Sequence, residues 1–247
     1  MRYKINMSYN GAGFCGWQIQ ADAPSVQGSL EDALKVLLHA EIKVTGAGRT
    51  DTGVNASCYV AHFDSDTPID CAQICYKLNA ILPGGIAVKS IEPVSDSFHA
   101  RFGATRREYT YFLHRCKDPF AENFSWLYQY PDLDFESMNL AAKHLLGTHD
   151  FSCFEKTGAD NKTSICTVTE AAWFKEDEDH WFFRIAADRF LRNMVRAIVG
   201  TLLEVGRGKR TPESILSLIE NGTRCDAGQS VPGHALFLSK VEYGPKA

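Results

Sequence analysis

Gly46-Ala47-Gly48-Arg49-Thr50-Asp51-Thr52-Gly53-Val54-Asn55-Ala56 is a glycine-rich stretch with one carboxylate. It lies where a strand-like run over 42–48 ends and before another over 57–64 begins. Gly46, Gly48 and Gly53 permit positive φ and close approach of another backbone. Arg49 supplies a permanent cation that can hold Asp51 ionised and can also contact phosphate. An ionised carboxylate beside an arginine on a loop is a candidate nucleophile or base. The same residues also suit an aspartate that caps a turn while Arg49 makes a surface ion pair. Residue types alone leave both readings open.

Working outward, the first half reads as strand 2–8, helix 26–39, strand 42–48, strand 57–64, helix 69–80 and strand 86–94. Pro24-Ser25 is a helix-start signal, and Leu30, Leu34, Leu37 and Leu38 form the apolar stripe that follows. Pro68 opens the second helix, and Pro83-Gly84-Gly85 stops it. The second half reads as strand 106–115, helix 134–146, strand 163–174, strand 180–187, helix 190–205, a short helix 212–220 and strand 235–243. A period of two puts Tyr109, Tyr111 and Leu113 on one face of the first of these strands. Glu176-Asp177-Glu178-Asp179 reads as a solvated hairpin tip. His149-Asp150-Phe151 reads as a loop anchor after a helix stop at Gly147. On helix 190–205, Arg189, Arg192 and Arg196 would fall within about 60° of one another, opposite a broad apolar face. Without the short helix, both halves follow β-α-β-β-α-β, the order of a ferredoxin-like unit in an α+β protein. The halves are expected at 1–103 and 104–247.

The 247 residues are 45% hydrophobic and 23% charged, as in an ordinary globular protein. No apolar run approaches the roughly 20 residues of a membrane span. Met1-Arg2-Tyr3-Lys4-Ile5 has no secretory apolar region, and the eight cysteines form no CxxC pair. Free thiols and a cytoplasmic location are therefore expected. The formal charge of −4 does not advertise nucleic-acid binding, so an RNA partner requires local concentrations of cations. Two such places are His99, Arg101, Arg106 and Arg107, followed by His114 and Arg115, and then Arg189, Arg192 and Arg196.

The wording G-x-G-R-T-D-x-G-V-x-A resembles the active-site signature of the tRNA pseudouridine synthase A family. Further segments resemble the family in the same order: Ser8-Tyr9-Asn10-Gly11, Phe14-Cys15-Gly16-Trp17-Gln18-Ile19-Gln20, Ser25-Val26-Gln27-Gly28, and Leu78-Asn79-Ala80-Ile81-Leu82-Pro83. Phe98-His99-Ala100-Arg101-Phe102, Arg107-Glu108-Tyr109-Thr110-Tyr111, His149-Asp150-Phe151 and Phe190-Leu191-Arg192-Asn193-Met194-Val195-Arg196 continue the series. The resemblance runs from Tyr3 to Tyr243.

This resemblance implies the pseudouridine synthase fold: two ferredoxin-like halves sharing an extended, mostly antiparallel sheet with helices on one face. It implies isomerisation of uridine to pseudouridine at tRNA positions 38, 39 and/or 40, in the anticodon arm, by a homodimer without metal or other cofactor. It assigns the reacting carboxylate to Asp51, an active-site ring to Tyr109, and an ion-pairing cation to Arg196. Arg49, Thr50, Arg101, Arg107, Arg189 and Leu236 are the expected substrate contacts, with Leu236 packing on the target base. Asn55, where the family usually has histidine, Thr52, where it has alanine, and Asp188-Arg189, where glycine is common, depart from the pattern. So does the segment 227–234. Two other readings are a catalytically silent tRNA-binding relative and a metal phosphohydrolase built on His149-Asp150. The latter lacks further ligands at suitable spacing.

Overall fold

The computed structural model describes residues 1–158 and 162–244. The chain forms two compact units, Met1–Thr105 with the segment from Phe237 onward, and Arg106–Leu236. Both are mixed α and β, with mostly antiparallel strands flanked by helices.

The first unit contains β1 (Arg2–Tyr9), α1 (Val26–Leu38), β2 (Val44–Gly46), β3 (Asn55–Asp64), α2 (Cys71–Ile81) and β4 (Ile86–Val94). Strict alternation along β1 buries Tyr3, Ile5, Met7 and Tyr9. β1 runs antiparallel between β4 and β3, and β2 pairs with β3. Ser25 caps α1 by accepting the Gly28 N–H at 3.1 Å. α2 starts later than Pro68 suggests, because Asp70 is its cap, accepting the Gln73 N–H at 3.0 Å.

The second unit contains most of β5 (Ala104–His114), then β6 (Trp126–Leu127), α3 (Phe135–Lys143), β7 (Gly147–Asp150), β8 (Ile165–Lys175), β9 (His180–Ala187), α4 (Met194–Gly206) and α5 (Ser214–Asn221). Strands β5, β9, β8 and β7 are antiparallel neighbours in that order. Tyr109 faces Ile185 and Tyr111 faces Phe183 across the β5–β9 ladder, and all four are buried. The hairpin tip forms where expected, with the Asp177 carboxylate accepting the N–H groups of Asp179 and His180. His149 and Asp150, expected to anchor a loop, lie instead in strand β7, paired with Cys166 and Ile165; the His149 ring bonds the Leu146 carbonyl and Asp150 accepts the Ser152 N–H.

Two further expectations need correction. The C-terminal strand β10 (Leu236–Tyr243) belongs with the first unit from Phe237, not with the second. Its Phe237 and Leu238 pair in parallel with Asn55 and Ala56 at the start of β3. The helix expected over 190–205 begins only at Met194. Asn193 is left-handed at φ 67°, which breaks the helical run. Phe190 stands edge-on to Tyr109 with ring centroids 5.1 Å apart, and the Arg192 carbonyl accepts the Lys156 N–H. Arg189 and Arg192 therefore lie in a loop and share no helical face with Arg196.

All eight cysteines are free thiols. Among the described residues no helix is long and apolar enough to cross a membrane.

Candidate active site

β2 ends at Gly46 and β3 begins at Asn55, and the loop between them carries Asp51. Backbone bonds tie its start to β3, with the Ala47 N–H donating to Val60 at 2.8 Å and the Tyr59 hydroxyl donating to the Gly48 carbonyl. Just before Asp51, the Thr50 carbonyl accepts the Trp17 N–H at 3.3 Å, and the Thr50 and Tyr9 hydroxyls are 2.9 Å apart. Just after it, the Val54 N–H closes a turn onto the Asp51 carbonyl at 3.1 Å. The buried Asn55 side chain accepts the Gly11 N–H at 2.8 Å. Trp17 and Tyr59 stack beneath the loop at 4.2 Å.

Two glycines outside the loop make this packing possible. Gly16 has φ +87°, and a Cβ there would sit 2.3 Å from the Thr50 carbonyl oxygen. A Cβ on Gly11 would sit 2.3 Å from the Val54 carbonyl oxygen. Backbone thus lies directly on backbone on both sides of Asp51. Of the loop's own glycines, only Gly53 takes positive φ. The sequence segments around Gly11 and Gly16 and the segment around Asp51 are therefore one packed object.

Asp51 itself is half-buried, while Arg49 is exposed. Thr50, expected among the substrate contacts, is buried and bonded to Tyr9. Its observed work is to hold the loop. A carboxylate on backbone pinned before and after it is placed without reorganisation, which suits a reacting group.

In the second unit, β5 positions Tyr109 at 9% exposure. Tyr111, two residues on, is fully buried; burial pushes its phenol pKa up, against the pull of the Arg196 charge. Arg196 lies in the first turn of α4, and its Nε donates to the Val231 carbonyl at 2.7 Å. The Val231 N–H returns a bond to the Arg196 carbonyl at 3.2 Å, and Asn193 donates to Ser230 at 2.6 Å. The unusual segment 227–234 is thus a strap on the start of α4. Leu236 is buried at the start of β10.

The structure brings Arg107 and Arg189 together around Asp188. Arg107 donates to the Asp188 carbonyl at 2.8 Å. The Asp188 carboxylate accepts the N–H groups of Thr167 and Arg189 at 2.8 and 2.7 Å. The Arg189 guanidinium donates to the Thr163 carbonyl at 3.1 Å. The Asp188-Arg189 departure is therefore a turn closed by the Asp188 side chain.

The first expected basic patch is thinner than its composition. Arg106 is held between Glu108 and Glu170 at 3.1 Å each, and Glu170 also binds Arg184. His114 is buried, with Nδ1 2.9 Å from the Ser125 hydroxyl. Arg115 donates to the carbonyls of Tyr128, Tyr130 and Pro131. Arg101 remains exposed. Sequence reasoning did not assign a site role to Tyr9, Gly11, Gly16 or Asn55. Their signal was the wording of the 8–20 segment, which does not say what it touches.

A family model described as tRNA pseudouridine synthase matches residues 141–244. The chain is 52% identical over 244 residues to tRNA pseudouridine synthase A of Parabacteroides distasonis, covering 98% of this chain and 96% of that one. It is 50% identical to the protein of the same name from Bacteroides thetaiotaomicron, covering 98% and 90%. With the Bacillus subtilis tRNA pseudouridine synthase A it shares 42% identity, covering 98% and 99%. Identity of this order over nearly the whole of each chain places this chain in the tRNA pseudouridine synthase A family.

Proposed function

We propose that this protein isomerises uridine to pseudouridine in the anticodon arm of tRNA, at positions 38, 39 and/or 40, with the Asp51 carboxylate as reacting group. The observation that carries the proposal is a half-buried carboxylate on a loop pinned before and after it. The reaction breaks the N1–C1′ bond, turns the base and joins C5 to C1′. C5 loses its proton and N1 gains one, so the exchange balances without oxidant or co-substrate. One carboxylate can serve it, by attack at C1′ or C6 or by removing a sugar proton.

A uridine inside a stacked stem does not expose C5 and C1′, so the base must leave the stack. The exposed Arg49, beside Asp51, suits a contact to the phosphate of the flipped nucleotide. The roles assigned by resemblance to Tyr109, Arg196 and Leu236 are part of the same reading, as are Arg107 and Arg189 as RNA contacts. A homodimer acting in the cytoplasm completes it.

Tritium release from tRNA labelled at uracil C5 tests the proposal. The wild type should release label, and Asp51→Ala should lower the rate by more than about a thousandfold. Release by both proteins removes Asp51 from the centre. Binding of tRNA without release by the wild type selects the silent RNA-binding alternative.

A further inference from the structure

Phe102 is 77% exposed on a loop that is otherwise tightly tied down. Arg2 donates to the carbonyls of Asp96 and Phe98 at 2.7 and 2.9 Å, while its other nitrogens bind the Asp64 carboxylate. The Ala100 N–H donates to His62 Nδ1 at 3.2 Å, and the Ala100 carbonyl accepts the Tyr243 hydroxyl at 2.7 Å. His99 Nδ1 accepts the N–H groups of Arg101 and Phe102, and Gly103 closes the turn onto the His99 carbonyl at 2.8 Å. A single exposed apolar side chain is ordinary. This one is held out by a rigid frame and gains no burial from it.

Its neighbours have a definite chemistry. The His99 ring lies 4.4 Å from the Phe102 ring, and the Arg101 guanidinium lies over that ring at 5.6 Å. Burial, with the Arg2 charge nearby, lowers the His62 pKa to about 4 and pushes His99 below its usual value. Both shifts favour the neutral imidazoles, so the loop presents aromatic rings beside the Arg101 side chain. Rings stack on unpaired bases, and arginine meets phosphate.

The place of this loop separates binding from chemistry. It is fixed at the Arg2 end of β1, whereas the Asp51 loop is fixed at the Tyr9 end. Seven residue steps at about 3.3 Å put those ends about 23 Å apart.

We infer that the His99–Gly103 loop is a second RNA contact, away from the target uridine, in which Phe102 stacks on a base and Arg101 takes an adjoining phosphate. The inference rests on tRNA being the substrate. Such a contact acts on affinity and leaves the reacting group alone.

Steady-state tritium release and gel-shift affinity on full-length tRNA test it, using Phe102→Ala, Phe102→Trp and Arg101→Gln. Phe102→Ala should raise KM about tenfold with little change in kcat, and Phe102→Trp should restore it. Arg101→Gln should reduce the slope of log affinity against log salt by about one. An unchanged KM and gel-shift affinity for Phe102→Ala overturns the inference and leaves the proposed reaction standing. If the wild type releases no tritium, that reaction fails, and weaker gel-shift binding by Phe102→Ala still supports the contact. A shift from dimer to monomer in analytical ultracentrifugation, with RNA affinity unchanged, means that Phe102 meets a second copy of the chain and also overturns it.

Discussion

The two ends of β1 hold loops with a different balance of contacts. At the Tyr9 end, backbone lies on backbone in addition to the Tyr9, Asn55 and Tyr59 side-chain bonds: Gly16 and Gly11 leave no room for a Cβ against Thr50 and Val54. At the Arg2 end, side chains of Arg2, His62, His99 and Tyr243 reach out to loop backbone groups. Contact by exclusion tolerates no added atom. Contact by hydrogen bond can lengthen, be replaced or titrate. The Asp51 carboxylate, proposed to react, sits where backbone exclusion is added to hydrogen bonds, and the exposed ring sits where side-chain hydrogen bonds predominate. That division matches what each task needs, since a small displacement costs a reaction far more than it costs a binding platform.

The sharpest way to break this comparison is Gly16→Ala. The substitution forces an L-residue to φ +87°, about 1–2 kcal/mol, and drives a Cβ against a carbonyl that cannot swing aside. The expected loss is about 3 kcal/mol or more in a denaturant midpoint, with at least about a hundredfold in tritium release as Asp51 moves. Wild-type stability and rate in this variant would remove backbone exclusion as the support of the loop.

A smaller effect is expected for Asn55→Ala, which leaves the buried Gly11 N–H without its acceptor. Urea unfolding should show a loss of about 1–3 kcal/mol. A loss well below that range would mean the loop and the Gly11 segment hold together without this bond.

The smallest effect belongs to the Arg2 end and depends on pH. The folded-state pKa of His62 is depressed to about 4, chiefly by burial and then by the Arg2 charge. Between the ordinary value near 6.5 and about 4, the unfolded chain binds the proton more readily. Stability should therefore fall as pH drops through that window and be unaffected by this group above it. Protonation also removes the Nδ1 acceptor used by Ala100. Thermal unfolding at pH 7.5 and pH 5 should show a larger drop for the wild type than for His62→Gln. Equal drops would sharpen the comparison against a titrating support.

Much of this architecture was legible because it is local. The Ser25 cap, the alternation of Tyr109, Tyr111 and Leu113, and the acidic tip at 176–179 each depend on residues a few positions apart. The site was legible in a narrower sense. The loop around Asp51 declared itself by its residue types, and its resemblance to a family gave those types a task. What held the loop was not readable, because Gly16 and Thr50 meet only when the chain folds back on itself. Helix 190–205 shows the same limit from the other side. Its apolar periodicity continues through Phe190 and Leu191, yet the Asn193 turn, with Phe190 held on Tyr109, delays the helix start to Met194.

By itself, the amino-acid order determined the β-α-β-β-α-β succession of the first unit, the Ser25 cap of α1, and the identity of the carboxylate on the glycine-rich loop. These follow from backbone propensity and side-chain periodicity, which act over one or two turns. Only the tertiary structure decided that β10 joins β3, and that Gly11 and Gly16 carry the Asp51 loop. It also decided that Arg106 meets Glu170 across 64 residues. The physical reason is the same in each case. A hydrogen bond, an ion pair or a steric exclusion acts at a few ångströms, and nothing in a linear order states which distant residues will come that close.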